Sequence, residues 1–458
     1  MRQKTELEIT LRAGARGEAR SAGAEGTEAR AATTEVESRA AGWPSMEAIV
    51  ERDNLRKALA QVKRNKGAAG VDGMSLGALA PYLKEHWPTI RAQLLDGTYK
   101  PQPVRRVEIP KASGGQRPLG IPTVLDRFIQ QAMLQVLQAD WDRTFSEHSY
   151  GFRPKRSAHQ AVTRAQEMIA ASHDVVVDID LEKFFDRVNH DILMGLVAKR
   201  VADKRILTLI RGFLTAGVLA DGLVGATEEG TPQGGPLSPL LSNLMLDVLD
   251  KELETRGLNF VRYADDCNIY VRSQRAGERV MASIERFLTG RLKLRVNKAK
   301  SAVARPGKRK FLGFSFTSGT QPRRRIASQS LARFRSRVRE LTRRTRGKSL
   351  AQIVKELSVY LTGWRGYFDF CETPSMLRDL DQWTRRRLRA IAWKQWKRGT
   401  TRFAELRRRG VGRDLAAQTA GSPHGPWRLS NSPALTIALP NAFLALLGLT
   451  SLVANKAA

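Results

Sequence analysis

The sequence predicts an α+β fold, in which a mixed region of helices and antiparallel strands precedes an all-helical region. Three observations lead to this prediction. Alternating and β-branched strand patterns stop near residue 320, amphipathic helical patterns continue beyond it, and 458 residues suffice for two or three domains. We therefore expect a leader over 1–43, a mixed domain over 44–320, a helical domain over 321–412 and a tail segment over 413–458.

The amino-acid composition points to a nucleic-acid partner and a disordered leader. The leader is rich in Ala, Arg, Gly and Glu and poor in large apolar residues, so burial cannot offset the entropy lost on folding. Across the chain, 77 Lys and Arg residues stand against 45 Asp and Glu residues, a net charge of +32. Such an excess attracts polyanions, because each neutralised phosphate releases a counterion.

Cysteine content and apolar stretches indicate the cellular location of the protein. Cys267 and Cys371 are its only cysteines, too few for a disulfide framework or a zinc knuckle, so a reducing compartment is expected. The N-terminus lacks the apolar core of a signal peptide. The apolar stretch over 433–454 is interrupted by Pro440 and Asn441, which favours a docked helix pair over a membrane span. The sequence thus predicts a cytoplasmic location and no membrane partner.

The elements follow in order along the chain. Helical spacing of apolar residues begins at Met46 and returns between 125 and 137. Between these helices, 104–122 alternates around a Gly-Gly pair and predicts a hairpin. The patterns also predict a strand over 175–180, short strands on either side of Asp265 and Asp266, and helices near 328–345, 349–361 and 374–398. The first of these C-terminal helices is crowded with arginines, which favours nucleic-acid contact over a solvated charged face.

The strongest local signal is Asp265 beside Asp266, between two predicted strands. Adjacent carboxylates repel each other, so the pair favours a bound divalent cation such as Mg²⁺; the alternative is an ordinary surface turn, where Asp is common. A third carboxylate stands at the end of the strand over 175–180. Because side chains alternate along a strand, Asp178 and Asp180 share a face, and the spacing leaves either as the candidate.

Three carboxylates from two strands predict a site for two metal ions, the arrangement used for phosphoryl or nucleotidyl transfer. Such transfer also requires a basic clamp, for which Lys111 and Arg117 on the hairpin are candidates; either could instead be a surface residue. Ahead of a helix with Ser238 as N-cap and Pro239 at its first position, a Gly-Gly pair permits close approach of a base pair, and Gln233 can hydrogen-bond there. A structural Gly-Gly turn is the alternative.

Taken together, these segments resemble the sequence blocks of reverse transcriptases, in particular those of group II intron-encoded proteins, over roughly residues 46–400. The blocks occur in the family's order, as IPKASGGQRPLGIPTVLDR, HSYGFRPKRSAHQAV, VVVDIDLEKFFDRVNHD, EGTPQGGPLSPLLSNLMLD, RYADD, RLKLRVNKAKS and RKFLGFSF. The basic helices with YLTGWRGYFDF resemble the family's thumb, or maturase, domain. The resemblance implies a right-hand polymerase, with fingers and an antiparallel-sheet palm followed by an all-helical thumb.

The resemblance also assigns roles to positions that match the family's motifs. Asp180 matches the first metal ligand, in preference to Asp178, and Asp265 and Asp266 match the pair that holds two Mg²⁺ ions with it. The matching nucleotide-site residues are Phe185 as the sugar-selecting aromatic, Lys111 and Arg117 as the triphosphate clamp, Gln233 in the pocket and Lys300 near the departing pyrophosphate. Tyr150, Phe152 and Arg153 match template-side residues of the fingers.

The implied function is that of an RNA-directed DNA polymerase encoded by a group II intron. It would copy intron RNA from a DNA primer or target with dNTPs, and assist splicing as a maturase, in the bacterial cytoplasm. The alternatives are a domesticated reverse transcriptase in DNA repair or phage defence, and an RNA-binding protein that serves splicing alone. The tail departs from relatives that end in a Cys- and His-rich endonuclease, so no endonuclease is expected and a DNA-binding remnant is the prediction for 413–458.

Overall fold

The computed structural model describes residues 43–110, 115–220, 223–225, 229–231 and 234–453. The predicted leader therefore lies outside the described residues, except for Trp43. Within the described ranges, strands form two four-stranded sheets and one two-stranded sheet, with helices packed around them. The chain thus has the mixed α+β architecture that the sequence predicts, followed by a helical C-terminal region.

The mixed region begins with helices and then alternates helices with strands. Up to residue 225 its elements are α1 (Met46–Ile49), α2 (Arg52–Arg64), α3 (Leu76–Leu95), β1 (Val104–Pro110), β2 (Gln116–Ile121), α4 (Val124–Trp141), α5 (Ala158–Ala170), β3 (Val175–Ile179), α6 (His190–Ala198), α7 (Lys204–Thr215), β4 (Val218–Ala220) and β5 (Leu223–Gly225). The second part comprises α8 (Ser238–Thr255), β6 (Asn259–Tyr263), β7 (Asp266–Val271), α9 (Gln274–Phe287), β8 (Ala302–Ala304), β9 (Phe314–Phe316) and β10 (Arg324–Ile326). The strands predicted around the carboxylates are therefore confirmed.

The central sheet has the strand order β6-β7-β3-β8, and its pairings are antiparallel. The inner strand β3 is buried along its whole length, as its β-branched run leads one to expect. Helix α9 packs against β3, and α5 packs against β6. This packing fixes the end of β3, where two of the predicted carboxylates lie.

The outer sheet has the order β2-β1-β4-β5 and contains the predicted hairpin, since β1 and β2 pair antiparallel. A buried carboxylate, Asp126 in the first turn of α4, anchors the base of this hairpin. Asp126 accepts hydrogen bonds from the Tyr99 hydroxyl at 2.9 Å, the Thr123 hydroxyl at 2.7 Å and the Gln102 N–H at 3.1 Å. These bonds hold the hairpin to the helix that follows it.

The C-terminal region is helical, with α10 (Ser328–Leu341), α11 (Leu350–Phe368), α12 (Pro374–Gln395), α13 (Gly399–Arg408), α14 (Arg413–Ala420), α15 (Pro426–Leu429), α16 (Pro433–Ala438) and α17 (Asn441–Leu446). The three predicted amphipathic helices are confirmed as α10, α11 and α12, although α10 ends earlier and α11 extends further than expected. The expectation that strands stop near residue 320 is wrong by one strand. β10 pairs with β9 over three residues, which is too short for periodicity to reveal.

The tail segment packs against the helices that precede it. Leu435 is fully buried in a cluster with Trp393 of α12. Further along, the Ser451 hydroxyl and the Leu452 N–H donate to the buried Asp381 carboxylate of α12 at 2.6 and 2.9 Å. Helices α16 and α17 correspond to the predicted docked helix pair, and across 43–453, apart from the gaps given above, no helix is both long and apolar enough to cross a membrane.

Candidate active site

Two adjacent strands of the central sheet bring the predicted carboxylates together. In the register of β3 with β7, Ile179 pairs with Cys267. Continuing this register places Asp180 opposite Asp266, and cross-strand partners project from the same face of a sheet. Because side chains two residues apart also share a face, Asp178 lies on that face as well. Three carboxylates therefore meet at one end of the sheet.

Asp265 lies in the tight turn between β6 and β7. Tyr263 pairs with Asp266, so the loop consists of Ala264 and Asp265 alone. Ala264 has a φ of +56°, in the left-handed region that short hairpins use because it matches the twist of the paired strands. A residue with a Cβ is strained in that region, so the surroundings of the turn must hold it in place.

Negative charge accumulates at this end of the sheet. Burial, followed by the charges of Asp178 and Asp265, raises the pKa of Asp266 to about 8. The positive charge of Lys310 acts in the opposite direction. Asp266 therefore lies within electrostatic reach of Asp178 and Asp265, and the opposing effect of Lys310 on its pKa is the smaller one.

The two carboxylates contributed by the β3 segment have different surroundings. Arg309 donates to Asp178 from Nε at 2.8 Å and from Nη2 at 2.6 Å, and the Asp178 side chain is 11% exposed. Burial raises the pKa of Asp178, and the contact with Arg309 lowers it. The Asp180 side chain is 39% exposed, and its Oδ1 lies 3.4 Å from the Nζ of Lys300. Asp180 is the more open of the two to a ligand.

Lys300 reaches Asp180 because the segment before β8 is tied to the end of β3. The Asn297 N–H donates to the Asp180 carbonyl at 2.8 Å, and the Asp180 N–H donates to Ser301 Oγ at 3.0 Å. The Lys300 side chain is 68% exposed. Its ammonium group therefore stands beside the carboxylates and remains accessible from solvent.

The carboxylate oxygens suit a hard divalent cation, whose charge would remove their mutual repulsion. In the part of the chain that the structure describes, no group of three His, Cys, Asp or Glu side chains is arranged as a ready-made metal site. Mg²⁺ keeps several waters and takes one or two carboxylates together with substrate phosphates, so a complete protein cage is not required. The raised pKa of Asp266 marks a carboxylate whose charge the protein leaves unbalanced, which fits a bound cation.

Phe185 lies between two clefts. The larger, of about 590 Å³, is also lined by Leu119 and Phe152, and the smaller, of about 380 Å³, by Thr231. The Thr231 N–H donates to the Phe185 carbonyl at 2.6 Å. Gly230 has a φ of +97°, and a Cβ there would lie 2.9 Å from the same carbonyl oxygen, so glycine is required. The segment before α8 therefore packs its backbone directly against Phe185.

Three predicted nucleotide-site residues are described partly or not at all. Lys111 and Gln233 lie outside the described residues, and for Arg117 the structure gives only the backbone, which lies on β2 of the hairpin. The expected N-cap of α8 is wrong by one position. The helix begins at Ser238 itself, and Leu237 precedes it, because the chain turns helical one residue before the proline.

Of the three residues predicted to lie on the template side, Phe152 is the exposed one. It is 47% exposed and lines the larger cleft, whereas Tyr150 and Arg153 are 8% and 9% exposed. Arg153 donates to the Asp142 carboxylate at 2.8 Å and to the Ser149 carbonyl at 3.0 Å. The guanidinium of Arg153 thus ties its own loop together, and the template-side position of the three residues stays a prediction.

Three basic residues near the site or its clefts were missed by sequence reasoning. Arg309 contacts Asp178, and Lys310 lowers the pKa of both Asp178 and Asp266. Arg127 is 9% exposed, lines the larger cleft, and has its pKa lowered by burial. For Arg309 and Lys310, the only signal in the sequence was their basic character directly before FLGFSF. Nothing in the sequence pattern of α4 distinguishes Arg127 from a surface residue.

Comparison with known proteins places these features in two adjoining families. Residues 109–316 match the family described as reverse transcriptase (RNA-dependent DNA polymerase), and residues 331–410 match the group II intron, maturase-specific domain. Protein YkfC of Escherichia coli (strain K12) is 35% identical, over 56% of this chain and 77% of that protein. These matches cover the carboxylates, the part of the clefts that residues 109–316 contribute, and the C-terminal helices as far as α13.

Two further relatives are intron proteins. Group II intron-encoded protein LtrA of Lactococcus lactis subsp. cremoris is 40% identical, over 41% of this chain and 31% of that protein. The putative COX1/OXI3 intron 2 protein of Saccharomyces cerevisiae is 36% identical, over 34% of this chain and 18% of that protein. The chain thus aligns with less than a third of the length of each of these two relatives, and with most of YkfC.

Proposed function

Because this chain belongs to the family of group II intron-encoded reverse transcriptases and maturases, we propose that it copies intron RNA into DNA and assists the splicing of that RNA. The family's enzymatic activity is RNA-directed DNA synthesis, a nucleotidyl transfer that depends on divalent cations. For this chain we assign an intron RNA template, a DNA primer or target, dNTPs and two Mg²⁺ ions. The reaction would take place in the bacterial cytoplasm, where the intron is transcribed.

The observation that carries the proposal is the strand register that sets Asp180 opposite Asp266, with Asp265 in the adjoining turn. Two residues that lie far apart in the chain meet at one sheet end, where burial and neighbouring carboxylates raise the pKa of Asp266 to about 8. The Asp180 side chain is 39% exposed, so it remains accessible to a ligand although its Oδ1 lies 3.4 Å from Lys300 Nζ. This accessible group of carboxylate oxygens favours a site for cations that arrive with a nucleotide.

The residues of the site then have separate tasks in joining a primer 3′-hydroxyl oxygen to the α-phosphorus of a dNTP. Divalent cations, when bound, lower the pKa of the attacking hydroxyl and balance charge on the departing pyrophosphate. Asp180, Asp265 and Asp266 would hold them, and the sheet with its tight turn fixes the spacing of the three carboxylates. Lys300 adds positive charge beside Asp180, where pyrophosphate would leave, and Lys111 with Arg117 would clamp the triphosphate.

Phe185 is the residue that we expect to select the sugar. It lies between the two clefts, and its backbone carbonyl is fixed by the Thr231 N–H. A rigid aromatic ring beneath the sugar leaves no room for a 2′-hydroxyl, so dNTPs would enter and rNTPs would be excluded. Gln233 would hydrogen-bond to the nucleotide from the same segment.

The C-terminal helices support the maturase role. A cleft of about 570 Å³ between α10 and α12 is lined by four arginines, Arg339, Arg343, Arg344 and Arg387, and by a single acid, Glu340. Burial lowers the pKa of Arg387, and the charges of Arg339 and Arg344 lower it further. Such a concentration of positive charge suits the backbone of a folded RNA, which proteins read by shape, phosphates and 2′-hydroxyls.

Primer extension on an RNA template tests the proposal. The wild-type chain should extend a DNA primer with dNTPs and Mg²⁺, and Asp265→Ala should abolish extension while RNA binding is retained. The matched control is Asp191→Ala, which removes a carboxylate that is 83% exposed and paired with Arg211 at 2.7 Å. The control should extend at the wild-type rate; equal extension by Asp265→Ala would overturn the assignment of the site.

A further inference from the structure

A fully buried arginine lies directly behind the carboxylate turn. Arg262 on β6 is 0% exposed and forms an ion pair with Asp250 of α8, which is also 0% exposed. Its Nε donates to one Asp250 oxygen at 2.7 Å, and its Nη2 donates to the other. Removing two charges from water is unfavourable, and an apolar pair of similar volume often stabilises a protein as well or better. Stability alone does not account for this pair.

The remaining nitrogen of the guanidinium points at the turn. Arg262 Nη1 donates to the Ala264 carbonyl at 2.9 Å and to Asn243 Oδ1 at 3.0 Å. The Ala264 carbonyl belongs to the peptide unit that also contains the nitrogen of Asp265. Because Ala264 is strained at a φ of +56°, its peptide needs a partner to keep its orientation, and Arg262 supplies that partner.

The same network reaches the loop that carries Phe152. Asn243 Nδ2 donates to the Gly151 carbonyl at 2.9 Å, so Asn243 joins Arg262 to this loop. Gly151 lies against the turn, since a Cβ at that position would be 2.2 Å from the Ala264 nitrogen. The next residue, Phe152, has a φ of +60° and lines the larger cleft. The turn and the exposed aromatic ring are thus linked through one guanidinium.

We propose that Arg262 is a positioning residue: it sets the orientation of the Ala264–Asp265 peptide and, through Asn243, couples the carboxylate turn to the position of Phe152. The inference rests on the proposed polymerase function and extends it to buried residues outside the set assigned to hold substrate or metal. A small displacement is enough to matter, because misplacing a reacting group by about 1 Å can lower a rate about a hundredfold.

Asn243→Ala in the full chain is the first test, because it removes the link to Gly151 and leaves the Arg262–Asp250 pair in place. Primer extension should show a kcat lowered about tenfold or more, a higher Mg²⁺ concentration for the half-maximal rate, and a KM for primer–template within about twofold of wild type. Ser242→Ala is the matched control. It removes a neighbouring buried hydroxyl of α8 that donates to the Ser238 carbonyl at 2.8 Å, and it should keep wild-type values.

A second measurement does not depend on turnover. Adding Mg²⁺, a dNTP and a chain-terminated primer–template should raise the melting temperature less for Asn243→Ala than for wild type or Ser242→Ala. Arg262→Lys keeps a positive charge opposite Asp250 but cannot bridge Asn243 and the Ala264 carbonyl. It should therefore lower kcat at least as much as Asn243→Ala does. Where Arg262→Lys fails to fold, the two measurements on Asn243→Ala still decide whether the turn is coupled to Phe152 through Asn243.

The outcomes separate the inference from the function on which it rests. Asn243→Ala with wild-type kcat, Mg²⁺ dependence and melting response would overturn the coupling between the turn and Phe152, and Arg262→Lys with wild-type values would overturn the positioning role of Arg262. A lower melting temperature with unchanged kcat would show a structural network and would overturn it as well. A wild-type chain that extends no primer would instead defeat the proposed function.

Discussion

The end of the central sheet and the C-terminal helical region differ in the partners that they provide for acidic side chains. At the sheet end, burial and neighbouring carboxylates raise the pKa of Asp266 to about 8. In the helical region, the buried Asp381 carboxylate accepts from the Ser451 hydroxyl at 2.6 Å and the Leu452 N–H at 2.9 Å, and pairs with Arg385 at 3.1 Å. One acid is left unbalanced and the other is satisfied by the protein.

The two regions also differ in the sign of their surplus charge. The sheet end concentrates carboxylates, whereas the cleft beside α10 concentrates arginines that lower the pKa of Arg387. Like charges held close together are unfavourable, so a fold that keeps them gains something other than stability. The comparison supports the proposal that a cation binds at the first region and a polyanion at the second, whereas the protein itself supplies the partners of Asp381.

The largest effect is expected from Asp266→Asn, which removes the unbalanced charge and keeps the shape of the side chain. We expect kcat to fall about a hundredfold or more, because charge at the reacting centre is lost. In metal-free buffer the free energy of unfolding should be higher for the variant than for wild type. The raised pKa of Asp266 means that its ionised form destabilises the folded state, and each pKa unit corresponds to about 1.4 kcal/mol. Urea melts with and without Mg²⁺ measure this; a variant less stable than wild type would contradict the comparison.

Phe185→Ala should produce the next largest effect, on sugar selection rather than on charge. The ratio of rNTP to dNTP incorporation should rise by at least about tenfold, because the ring no longer closes the space beneath the sugar. Phe184→Leu is the matched control, since Phe184 packs edge-on against Phe185 at 5.2 Å and is 2% exposed. Unchanged exclusion of rNTPs by Phe185→Ala would remove Phe185 from the site.

A double variant, Arg343→Gln with Arg344→Gln, tests the polyanion side of the comparison. Intron RNA should bind several-fold more weakly, and the plot of log affinity against log salt should become shallower by about 1.4, from two lost phosphate contacts. The pair Arg56→Gln and Arg211→Gln removes two exposed arginines of the mixed region and serves as the control. If the two double variants change the salt dependence of RNA binding equally, the arginines of the cleft contribute no more to RNA binding than other exposed arginines do.

The smallest effect on catalysis is expected from Asp381→Asn. Loss of one acceptor leaves a buried donor from Ser451, Leu452 or Arg385 unsatisfied, which should lower the unfolding free energy by about 1–3 kcal/mol. Extension of a short primer on a simple RNA template should stay close to the wild-type rate at low temperature. The opposite stability changes of Asp266→Asn and Asp381→Asn would sharpen the comparison, and changes of the same sign would break it.

Much of this architecture could be predicted because local sequence patterns determine it. The β-branched run of β3, the hairpin of β1 and β2, and the arginine-lined helix α10 each follow from periodicity within a short window. Strand β10 could not be predicted, since three residues are too few to show a period. The buried position of Arg153 was also missed, because the motif that carries it does not indicate which way the guanidinium turns.

For the site itself, the sequence alone determined the residue types: adjacent Asp265 and Asp266, two candidate carboxylates at the end of β3, and a basic chain around them. Only the tertiary structure decided that Asp178 is buried against Arg309, that Asp180 is more exposed beside Lys300, and that the Arg262–Asp250 pair lies behind the turn. The reason is physical. Adjacency and alternation are set by the backbone over a few residues, whereas the partner of a buried charge is set by packing between segments that are remote in the chain.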